Sequence, residues 1–254
     1  MPDQRHDEGG LTFEGKRVLV TGASRGIGRA LTLALVSRGA KVAASGRSLT
    51  GLAETRALSG RPEMVCTCPG DLRSEADVRN IAESAAAQLG RIDALMNVAG
   101  VWHNAERKYQ GPLAVDTPAA EIDEVLEVGI RGAFHLTRLV AARMIKSAGG
   151  KIVFVSCGFA GPSEAVGWVH YYVANKAIEA LVAGLGAELR PHNVQVNAVA
   201  PWFVATEAVQ SFYPDQAASA LQPAEVVDMA MFLASPRSDH VSGQTIELRS
   251  KSDF

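Results

Sequence analysis

The chain has 254 residues, of which 47% are hydrophobic and 20% are charged, and its formal net charge is -2. A chain of this length buries one sizeable core, and α/β domains of this size are commonly single. A nearly neutral composition argues against a general role at nucleic acids or membrane surfaces. No apolar run approaches the roughly 18 residues of a membrane span. These bounds favour a protein that acts on a small-molecule substrate, with no nucleic-acid and no membrane partner.

The N-terminal residues 1–10 are polar and acidic and lack the apolar core of a secretory signal. We expect a disordered leader over residues 1–12 and one folded domain over residues 13–254. The chain has three cysteines, and an odd, low count fits a reducing, cytoplasmic location. Cys66 and Cys68 alternate along a predicted strand. No further Cys or His cluster accompanies them, so we expect small buried residues and no metal site.

Short apolar runs alternate with longer helical stretches along the chain. The predicted strands are Arg17–Val20, Lys41–Ala44, Glu63–Cys66, Ala94–Val98, Lys151–Ser156, Gln195–Val199 and Thr245–Leu248. The predicted helices are Gly26–Arg38, Leu49–Leu58, Glu75–Leu89, Ala119–Ala148, Tyr171–Glu188 and Ala224–Leu233. Such alternation implies a parallel sheet with helices on both faces, and continuous apolar strands fit burial on both sides. The pattern predicts an α/β fold with a doubly wound, mostly parallel, seven-stranded sheet.

A glycine-rich turn, Thr21–Gly28, joins the first predicted strand to the first predicted helix. Its glycines, at positions 22, 26 and 28, permit positive φ and a close approach of a ligand to the backbone. The free N–H groups at the start of the following helix are suited to a pyrophosphate. In open α/β sheets such a site lies beyond the carboxyl ends of the strands. The turn therefore predicts a nucleotide site, and the alternative is a tight turn without a ligand.

A second informative stretch is Tyr172–Lys176, which places a phenol and an ammonium on one face of a predicted helix. An unperturbed tyrosine has a pKa near 10 and is a poor acid-base catalyst at neutral pH. An ammonium one turn away lowers that pKa. Tyr171 is followed four residues later by Asn175, which is not a cation, so the pair is assigned to Tyr172. The alternative is a packed tyrosine beside a lysine that extends to solvent.

Four motifs in order now resemble the short-chain dehydrogenase/reductase family, and its ketoacyl-reductase-like members in particular. They are Thr21–Gly28, Asn97–Gly100 (N-x-A-G), Tyr172–Lys176 (Y-x-x-x-K) and Pro201–Thr206 (PWFVAT, similar to P-G-x-V-x-T). The similarity spans roughly residues 13 to 248. It implies a single-domain Rossmann-type fold, a nicotinamide cofactor, and proton transfer from Tyr172, with Lys176 lowering its pKa and holding the nicotinamide ribose.

The end of the second predicted strand bears on the choice of cofactor. It reads Ser45-Gly46-Arg47, without the carboxylate that usually binds the ribose 2'-hydroxyl in NAD enzymes. Arg47, with Arg25 of the glycine turn, is suited to a phosphate and favours NADP(H), unless both are simply solvated. The resemblance implies these cofactor contacts: Gly22, Ser24, Arg25, Gly26, Ile27, Gly28, Arg47, Asp71, Leu72, Asn97, Ala99, Gly100, Tyr172, Lys176, Val204 and Thr206.

Two of the family's usual catalytic residues are replaced. The resemblance places a carbonyl-polarising serine after the fifth strand, about 13 residues before the tyrosine, where this chain reads Ser156-Cys157-Gly158. Counting forward from the strand puts Cys157 at the position of this serine, whereas counting back from Ala160–Gly161 puts Gly158 there. Cys157 and Ser156 are therefore candidate catalytic residues, although a thiol is a weak donor and a nucleophilic cysteine needs an activating neighbour. The asparagine that often holds a relay water in the family is Gly129 here.

The predicted substrate side is rich in aromatic residues. Trp102, Trp168 and Trp202 are candidate substrate contacts, and aromatic walls suit a flat polycyclic or aromatic substrate. The stretch Glu207–Gln222, where the family usually has a longer helical lid, is predicted to carry an exposed aromatic tip at Phe212–Pro214. A short lid suggests a wide mouth and a bulky substrate. Core filling and simple loop trimming are the alternatives.

The leading hypothesis is an NADPH-dependent reductase of secondary metabolism. Hydride from NADPH and a proton from Tyr172 would reduce a carbonyl or imine of a bulky substrate, aromatic or polyketide-like. One alternative is a dehydratase, cyclase or isomerase on the same fold, and another is a catalytically silent NADP(H)-binding protein. The long apolar helices, which the family pairs between subunits, predict a homodimer or homotetramer.

Overall fold

The computed structural model describes residues 11–102, 111, 113–159 and 161–250. In this part of the chain seven strands form one fully parallel sheet with the order β3-β2-β1-β4-β5-β6-β7, which confirms the predicted fold class. The strands are β1 (Arg17–Val20), β2 (Lys41–Gly46), β3 (Val65–Pro69), β4 (Ala94–Asn97), β5 (Gly150–Val155), β6 (Val194–Pro201) and β7 (Thr245–Leu248).

The helices alternate with the strands and cover both faces of the sheet. They are α1 (Gly26–Ser37), α2 (Leu49–Leu58), α3 (Glu75–Leu89), α4 (Ala119–Leu126), α5 (Ala133–Lys146), α6 (Val169–Glu188), α7 (Glu207–Phe212), α8 (Pro214–Ala217) and α9 (Pro223–Ala234). None of these described helices is both long and apolar enough to cross a membrane.

The predicted helix Ala119–Ala148 is divided, because a π-helical turn at Glu127–Gly132 separates α4 from α5. Glycine weakens a helix, and π-turns relieve local misfits in helical hydrogen bonding. Gly132 lies so close to the backbone of Leu72 that a Cβ at this position would overlap the Leu72 carbonyl. A side chain is therefore excluded at the point where this helix crosses the loop after β3.

Alternate strand residues fill two cores on opposite faces of the sheet, as the period of a strand requires. Val18 and Val20 of β1 pack with α1 and α9, whereas Leu19 packs with α3, α5 and α6. Phe13 is 2% exposed and Leu11 packs against the first of these cores, so the folded part begins within the predicted leader. The remainder of that leader, residues 1–10, lies outside the described residues.

The chain reverses its winding direction between β1 and β4, which places a crevice at their carboxyl ends. Thr21 closes the base of this crevice. Its Oγ1 accepts hydrogen bonds from the backbone N–H groups of Val98 (3.0 Å) and Ala99 (3.1 Å). Its own N–H donates to the carbonyl of Met96 at 2.9 Å. The loops after β1 and β4 are thus held together where a ligand would approach both.

Candidate functional site

A cavity of about 960 Å³ lies at the carboxyl ends of the strands, from the glycine turn to a cluster of aromatic rings. Its wall brings together most of the residues singled out in the sequence. These are Gly22, Ser24, Arg25, Gly26, Ile27, Gly28, Arg47, Asp71, Leu72, Asn97, Ala99, Gly100, Trp102, Ser156, Cys157, Trp168, Trp202, Val204 and Thr206. Two predicted residues, Tyr172 and Lys176, are not among the wall residues that the structure describes.

The glycine turn needs each of its three glycines for a separate reason. Gly22 and Gly26 have φ of +67° and +53°, in the left-handed region that side chains disfavour. A Cβ on Gly22 would lie 3.0 Å from the backbone nitrogen of Ala99. A Cβ on Gly28 would overlap the carbonyl oxygen of Gly22. No side chain caps the start of α1, so its N–H groups are available to an anion at the cavity wall.

The adjoining end of the cavity carries positive charge. Arg47 follows β2, and its Nη1 lies 3.3 Å from Oε1 of Glu124 on α4. Arg25 is exposed beside the glycine turn. The Asp71 carboxylate accepts hydrogen bonds from Nη2 (2.6 Å) and Nε (2.9 Å) of Arg73. Burial raises the pKa of Asp71, but these hydrogen bonds outweigh it and the net shift is downward.

Two buried polar atoms in the cavity wall have no hydrogen-bond partner among the described residues, namely Oδ1 of Asn97 and Oγ of Ser156. The Asn97 side chain is held by its Nδ2, which donates to Oγ1 of Thr137 at 2.8 Å. Leaving a buried polar atom unpaired costs about 1–3 kcal/mol, so such atoms commonly pair with water or a bound ligand. Together with the glycine cradle, they fit a dinucleotide along this wall.

The two tyrosines of α6 lie in different surroundings, and Tyr172 with Lys176, whose Nζ is 5.9 Å from the Tyr172 ring centroid, stays a prediction. Tyr171 and Asn175 line the cavity, whereas the Tyr172 ring packs edge-to-face on Phe159, with ring centroids 5.3 Å apart. The Lys176 ammonium binds the Glu179 carboxylate at 2.9 Å. Tyr171 and Asn175 are four residues apart, as are Tyr172 and Lys176, so the members of each pair share a helix face. The faces of the two pairs are about 100° apart around the helix axis.

The register of α6 is set by its packing on the sheet. Ala174, Ile178 and Val182 form an apolar stripe that is buried against β-strand residues and α5. Asn175 follows this stripe into the cavity, and Glu179 on the next face stays half-exposed with Lys176. A rotation that brought Lys176 to the cavity would carry Glu179 toward the core and Ile178 out of it.

Tyr171 lies beside the Cys157 thiol and the Asn175 amide. Burial is the main cause that raises its pKa well above the usual 10, and Cys157 adds to the shift. A hydrogen bond with the Asn175 side chain acts in the opposite direction but does not offset burial. Asn175 is itself oriented by its Nδ2, which donates to the Tyr171 carbonyl at 2.9 Å. The phenol therefore stays protonated across the neutral range and is available as a proton donor.

The chain after β5 places a thiol beside this phenol. Burial raises the pKa of Cys157 to about 12, despite smaller opposite effects of the Tyr171 hydrogen bond and the Lys176 charge. A nucleophilic thiolate is therefore disfavoured. Gly158 is the other candidate for the serine position, and a Cβ there would lie 2.6 Å from the carbonyl oxygen of Ala200. Position 158 thus has no room for a serine side chain, while Ala160 lies outside the described residues.

The C-terminal end of the described chain anchors this loop. Arg249 follows β7, and its Nη2 donates to the Gly158 carbonyl at 2.9 Å. Its guanidinium also lies 5.7 Å from the centroid of the Trp202 ring. One side chain therefore holds both the loop after β5 and an aromatic residue of the cavity wall.

The far end of the cavity is walled by aromatic rings. Trp102 and Trp168 stack with ring centroids 4.8 Å apart, and Trp102 lies 5.0 Å from the Tyr171 ring. Phe159 and Trp202 pack edge-to-face at 5.6 Å. Together with Phe203, these residues form the aromatic wall: Trp102, Phe159, Trp168, Tyr171, Trp202 and Phe203. Its flat faces suit a bulky, unsaturated ligand.

The predicted exposed tip after Thr206 is instead packed into the protein. The stretch forms the short helices α7 and α8, and Tyr213 between them is only 9% exposed. Its ring lies 5.4 Å from Phe203 and 6.5 Å from Trp168, behind the aromatic wall. The prediction of an exposed tip was wrong because tertiary packing buries rings that the local sequence leaves unassigned.

Several wall residues were missed from the sequence. Tyr171 and Asn175 carried two signals: Tyr171 stands 13 residues after Gly158, and Ile178 continues its face of the helix with an apolar residue. Phe159 and Phe203 had no distinguishing signal. A metal was not predicted, and in the described part of the chain no cluster of three or more His, Cys, Asp or Glu side chains could hold one.

A parallel sheet wound in both directions, with a glycine cradle at its switch point, defines a dinucleotide-binding α/β protein. Comparison with known families places it more narrowly. The family model described as short chain dehydrogenase matches residues 16–217, and the chain belongs to this family.

Characterised relatives match over nearly their whole length. The chain is 29% identical over 250 residues to 7α-hydroxysteroid dehydrogenase of Escherichia coli strain K12, covering 93% of each chain. It is 31% identical over 246 residues to a 3-oxoacyl-(acyl-carrier-protein) reductase of Thermotoga maritima, covering 93% of this chain and 97% of the relative.

Solved structures show the same architecture. A 7α-hydroxysteroid dehydrogenase complexed with NADH and 7-oxo glycochenodeoxycholic acid has a TM-score of 0.82 and 28% identity, with 94% of each chain covered. A hydroxysteroid dehydrogenase from Escherichia coli has a TM-score of 0.81 and 29% identity, covering 94% of this chain and 97% of that chain. The family supports carbonyl reduction, or its reverse, as the general activity.

Proposed function

We propose that this chain is an NADPH-dependent reductase that transfers a hydride to a carbonyl or imine carbon of a bulky aromatic substrate. The observation that carries the proposal is a single cavity that joins the glycine cradle to the half-buried Tyr171 phenol and an aromatic wall. When bound, the reduced nicotinamide supplies the hydride. The relative complexed with NADH and a 7-oxo steroid acid is a precedent for a large oxo substrate on this fold.

The preference for NADPH over NADH is supported by the charges near the end of β2. Arg47 and Arg25 line the cavity where the resemblance to the family puts the adenosine ribose, and Ser45–Arg47 offers no carboxylate to its 2'-hydroxyl. A guanidinium pairs well with a phosphate, whereas a carboxylate would repel it. Asp71, a carboxylate in the same wall, is already bound by Arg73.

Proton donation is proposed for Tyr171, which lines the cavity, and Tyr172, the choice from the sequence, stays the alternative. The Tyr171 phenol lies in the cavity wall with the Cys157 thiol and the Asn175 amide beside it. A protonated phenol donates to the oxygen or nitrogen that gains negative charge as the hydride arrives. The Cys157 thiol is a weak donor, and Ser156 Oγ is a second, unpaired hydroxyl in the same wall. A cytoplasmic location and a dimer or tetramer stay predictions from the sequence.

The amide at Asn175 also favours a second candidate, a dinucleotide-binding protein with little or no turnover. An amide four residues after Tyr171 stabilises the phenolate left by proton transfer less than an ammonium there would. Such a protein would bind NADPH through the same cradle and leave carbonyl compounds unchanged. A dehydratase or isomerase on this fold would convert its substrate without consuming NADPH.

The test compares Tyr171→Phe with the matched variant Tyr172→Phe. NADPH oxidation is followed at 340 nm with a panel of aromatic ketones, quinones and cyclic imines. General acid catalysis contributes about 10²–10⁴-fold, so Tyr171→Phe should lower kcat on ketones by that factor. Tyr172→Phe should change kcat by no more than about threefold, because its ring packs edge-to-face on Phe159 and is not among the described wall residues.

The reverse result, with activity lost only in Tyr172→Phe, would refute the assignment of Tyr171. Binding of NADPH without turnover of any compound would support the silent protein. Substrate conversion without loss of NADPH would support the non-redox alternative. Product analysis by mass spectrometry separates these last two outcomes.

A further inference from the structure

Two polar side chains join the glycine turn to α2. Arg29 of α1 donates a hydrogen bond through Nη2 to the carbonyl of Ser24 in the turn, and its Nε donates to Oγ1 of Thr55 at 3.0 Å. The Thr55 hydroxyl lies 2.8 Å from the carbonyl of Ala23, to which it donates, and 2.9 Å from the carbonyl of Gly51 in its own helix. We call Arg29 and Thr55 the turn clamp, because together they hold two successive carbonyls of the glycine turn.

The turn clamp is buried and its charge is balanced. Thr55 is fully buried, and the Arg29 side chain is 20% exposed. Oε2 of Glu54 on α2 lies 2.8 Å from Nη2 of Arg29. The first turn of α2 also approaches the glycine turn closely, since a Cβ on Gly51 would lie 2.9 Å from the Ser24 carbonyl oxygen. The start of α2 and the glycine turn therefore form one packed unit, within which the guanidinium is a fixed hydrogen-bond donor.

The turn clamp fixes the direction of two backbone N–H groups. A trans peptide is planar, so the N–H of each residue points opposite to the carbonyl of the residue before it. Holding the carbonyls of Ala23 and Ser24 therefore orients the N–H groups of Ser24 and Arg25. Both of these residues line the cavity, and no backbone carbonyl of the described residues accepts a hydrogen bond from either N–H. Successive N–H groups in a turn form a concave site that suits an anion.

From this arrangement we infer that Arg29 and Thr55 are positioning residues, which act on a phosphate group of the cofactor through the backbone of the glycine turn. Donors that are ordered before the ligand arrives raise its affinity, because binding no longer bears the entropy cost of ordering them. The inference makes α2 part of the cofactor site. It rests on the proposed dinucleotide binding and is independent of the reductase chemistry.

Matched substitutions test the turn clamp through cofactor affinity, measured by isothermal titration calorimetry. Thr55→Val keeps the shape but loses the hydroxyl, so NADPH should bind about three- to tenfold more weakly, whereas Thr55→Ser should stay within about twofold of the wild type. Arg29→Lys keeps the charge but loses the planar fork that reaches two acceptors, so it should weaken NADPH as much as Arg29→Met does. Arg38→Met removes a charge from the far end of α1, outside the described cavity wall, and is the control that should leave the Kd unchanged.

Three further ligands show which phosphate is involved and whether the effect is specific to an anion. NADH lacks the 2'-phosphate, adenosine 2'-monophosphate lacks the pyrophosphate, and adenosine lacks both. In Thr55→Val, weaker binding of NADH with adenosine 2'-monophosphate unchanged would support the inference with the pyrophosphate as the anion. The opposite pattern would support it with the 2'-phosphate. An equal loss for adenosine, followed by ligand-detected NMR, would overturn the inference, because a damaged cavity would then explain the result.

Backbone motion of the cofactor-free protein gives a readout that needs no ligand. The amide ¹⁵N order parameters of Ser24 and Arg25 should fall from about 0.85, typical of a rigid backbone, toward about 0.6 in Thr55→Val and Arg29→Lys, but not in Thr55→Ser. Weaker NADPH binding with unchanged order parameters would contradict the inference, since the side chains would then act by direct contact with the cofactor. If the wild type binds no dinucleotide, the proposed function fails, and the order parameters still decide whether the turn clamp orders the turn.

Discussion

The ion pair between Arg47 and Glu124 allows the proposed NADPH preference to be tested from both sides. The two groups are 3.3 Å apart, and their side chains are 55% and 16% exposed. An exposed pair of this kind is worth about 0–1 kcal/mol. A 2'-phosphate would compete with Glu124 for the same guanidinium, and a charge-assisted hydrogen bond to phosphate is worth about 1.5–3 kcal/mol. The phosphate should therefore displace the carboxylate.

Two substitutions follow from this competition. Glu124→Gln removes the competitor and its repulsion of the phosphate, so NADPH should bind about two- to fivefold more tightly, with NADH unchanged. Arg47→Ala removes the phosphate partner, and about 1.5–3 kcal/mol corresponds to a roughly 10- to 150-fold weaker NADPH affinity. Kd values for both cofactors are measured by isothermal titration calorimetry at fixed ionic strength.

Asp123→Asn is the matched control, because it removes the same charge one residue away, at an exposed position of α4. It should change the affinity for NADPH less than Glu124→Gln does. Equal effects of Glu124→Gln on NADPH and NADH would refute the reasoning, since the 2'-phosphate would then not meet Arg47. Weaker NADPH binding in that variant would refute it as well, because Glu124 would then be needed to orient the guanidinium.

Three further predictions concern other parts of the structure. Gly28→Ala places a Cβ on the Gly22 carbonyl. This overpacking should lower the free energy of unfolding, measured by thermal unfolding, by about 1–3 kcal/mol and should weaken NADPH binding at least about tenfold. An unchanged Kd for NADPH would contradict the proposed role of the glycine turn in cofactor binding. Arg249→Met removes the hydrogen bond to the Gly158 carbonyl, so KM for aromatic substrates should rise severalfold while the Kd of NADPH stays the same. Burial lowers the pKa of His170 below its ordinary value of about 6.5, although the Glu121 carboxylate lies 3.2 Å away and opposes the shift. The neutral imidazole therefore makes its full contribution to folding stability above the pKa of the unfolded state. That contribution is lost as the pH falls through the lower pKa of the folded state. His170→Gln should flatten this acid limb in urea titrations, and an unchanged slope would rule His170 out as its cause.

The parts of the site that local backbone chemistry specifies could be predicted from the sequence. The glycine turn is an example, since positive φ at Gly22 and Gly26 and the close contact at Gly28 leave little choice of residue. The end of β2 is another, because the residues after a buried strand reach the crevice whatever surrounds them. In both cases the constraint acts within a few residues of the chain.

The register of α6 could not be read in the same way. Tyr171 with Asn175 and Tyr172 with Lys176 have identical spacing, and helix geometry alone does not rank them. The sequence analysis chose Tyr172 with Lys176 because this pair contains a cation. Which of the two pairs faces the cavity depends on the stripe of Ala174 and Ile178 against the sheet, a tertiary contact. The close approach of Gly132 to Leu72, at the point where the helix before β5 is divided, is likewise a contact between residues distant in sequence.

The contact from Arg249 to the Gly158 carbonyl has a practical meaning for anyone who expresses this protein. One wall of the substrate site is secured by a side chain close to the C-terminal end, just beyond β7. A tag or fusion partner joined directly after Arg249 would constrain that anchor, whereas one joined before Leu11 would lie at the edge of a core. Activity screens should therefore use N-terminal tags, and a C-terminal truncation that preserves NADPH binding could still yield a protein that recognises no substrate.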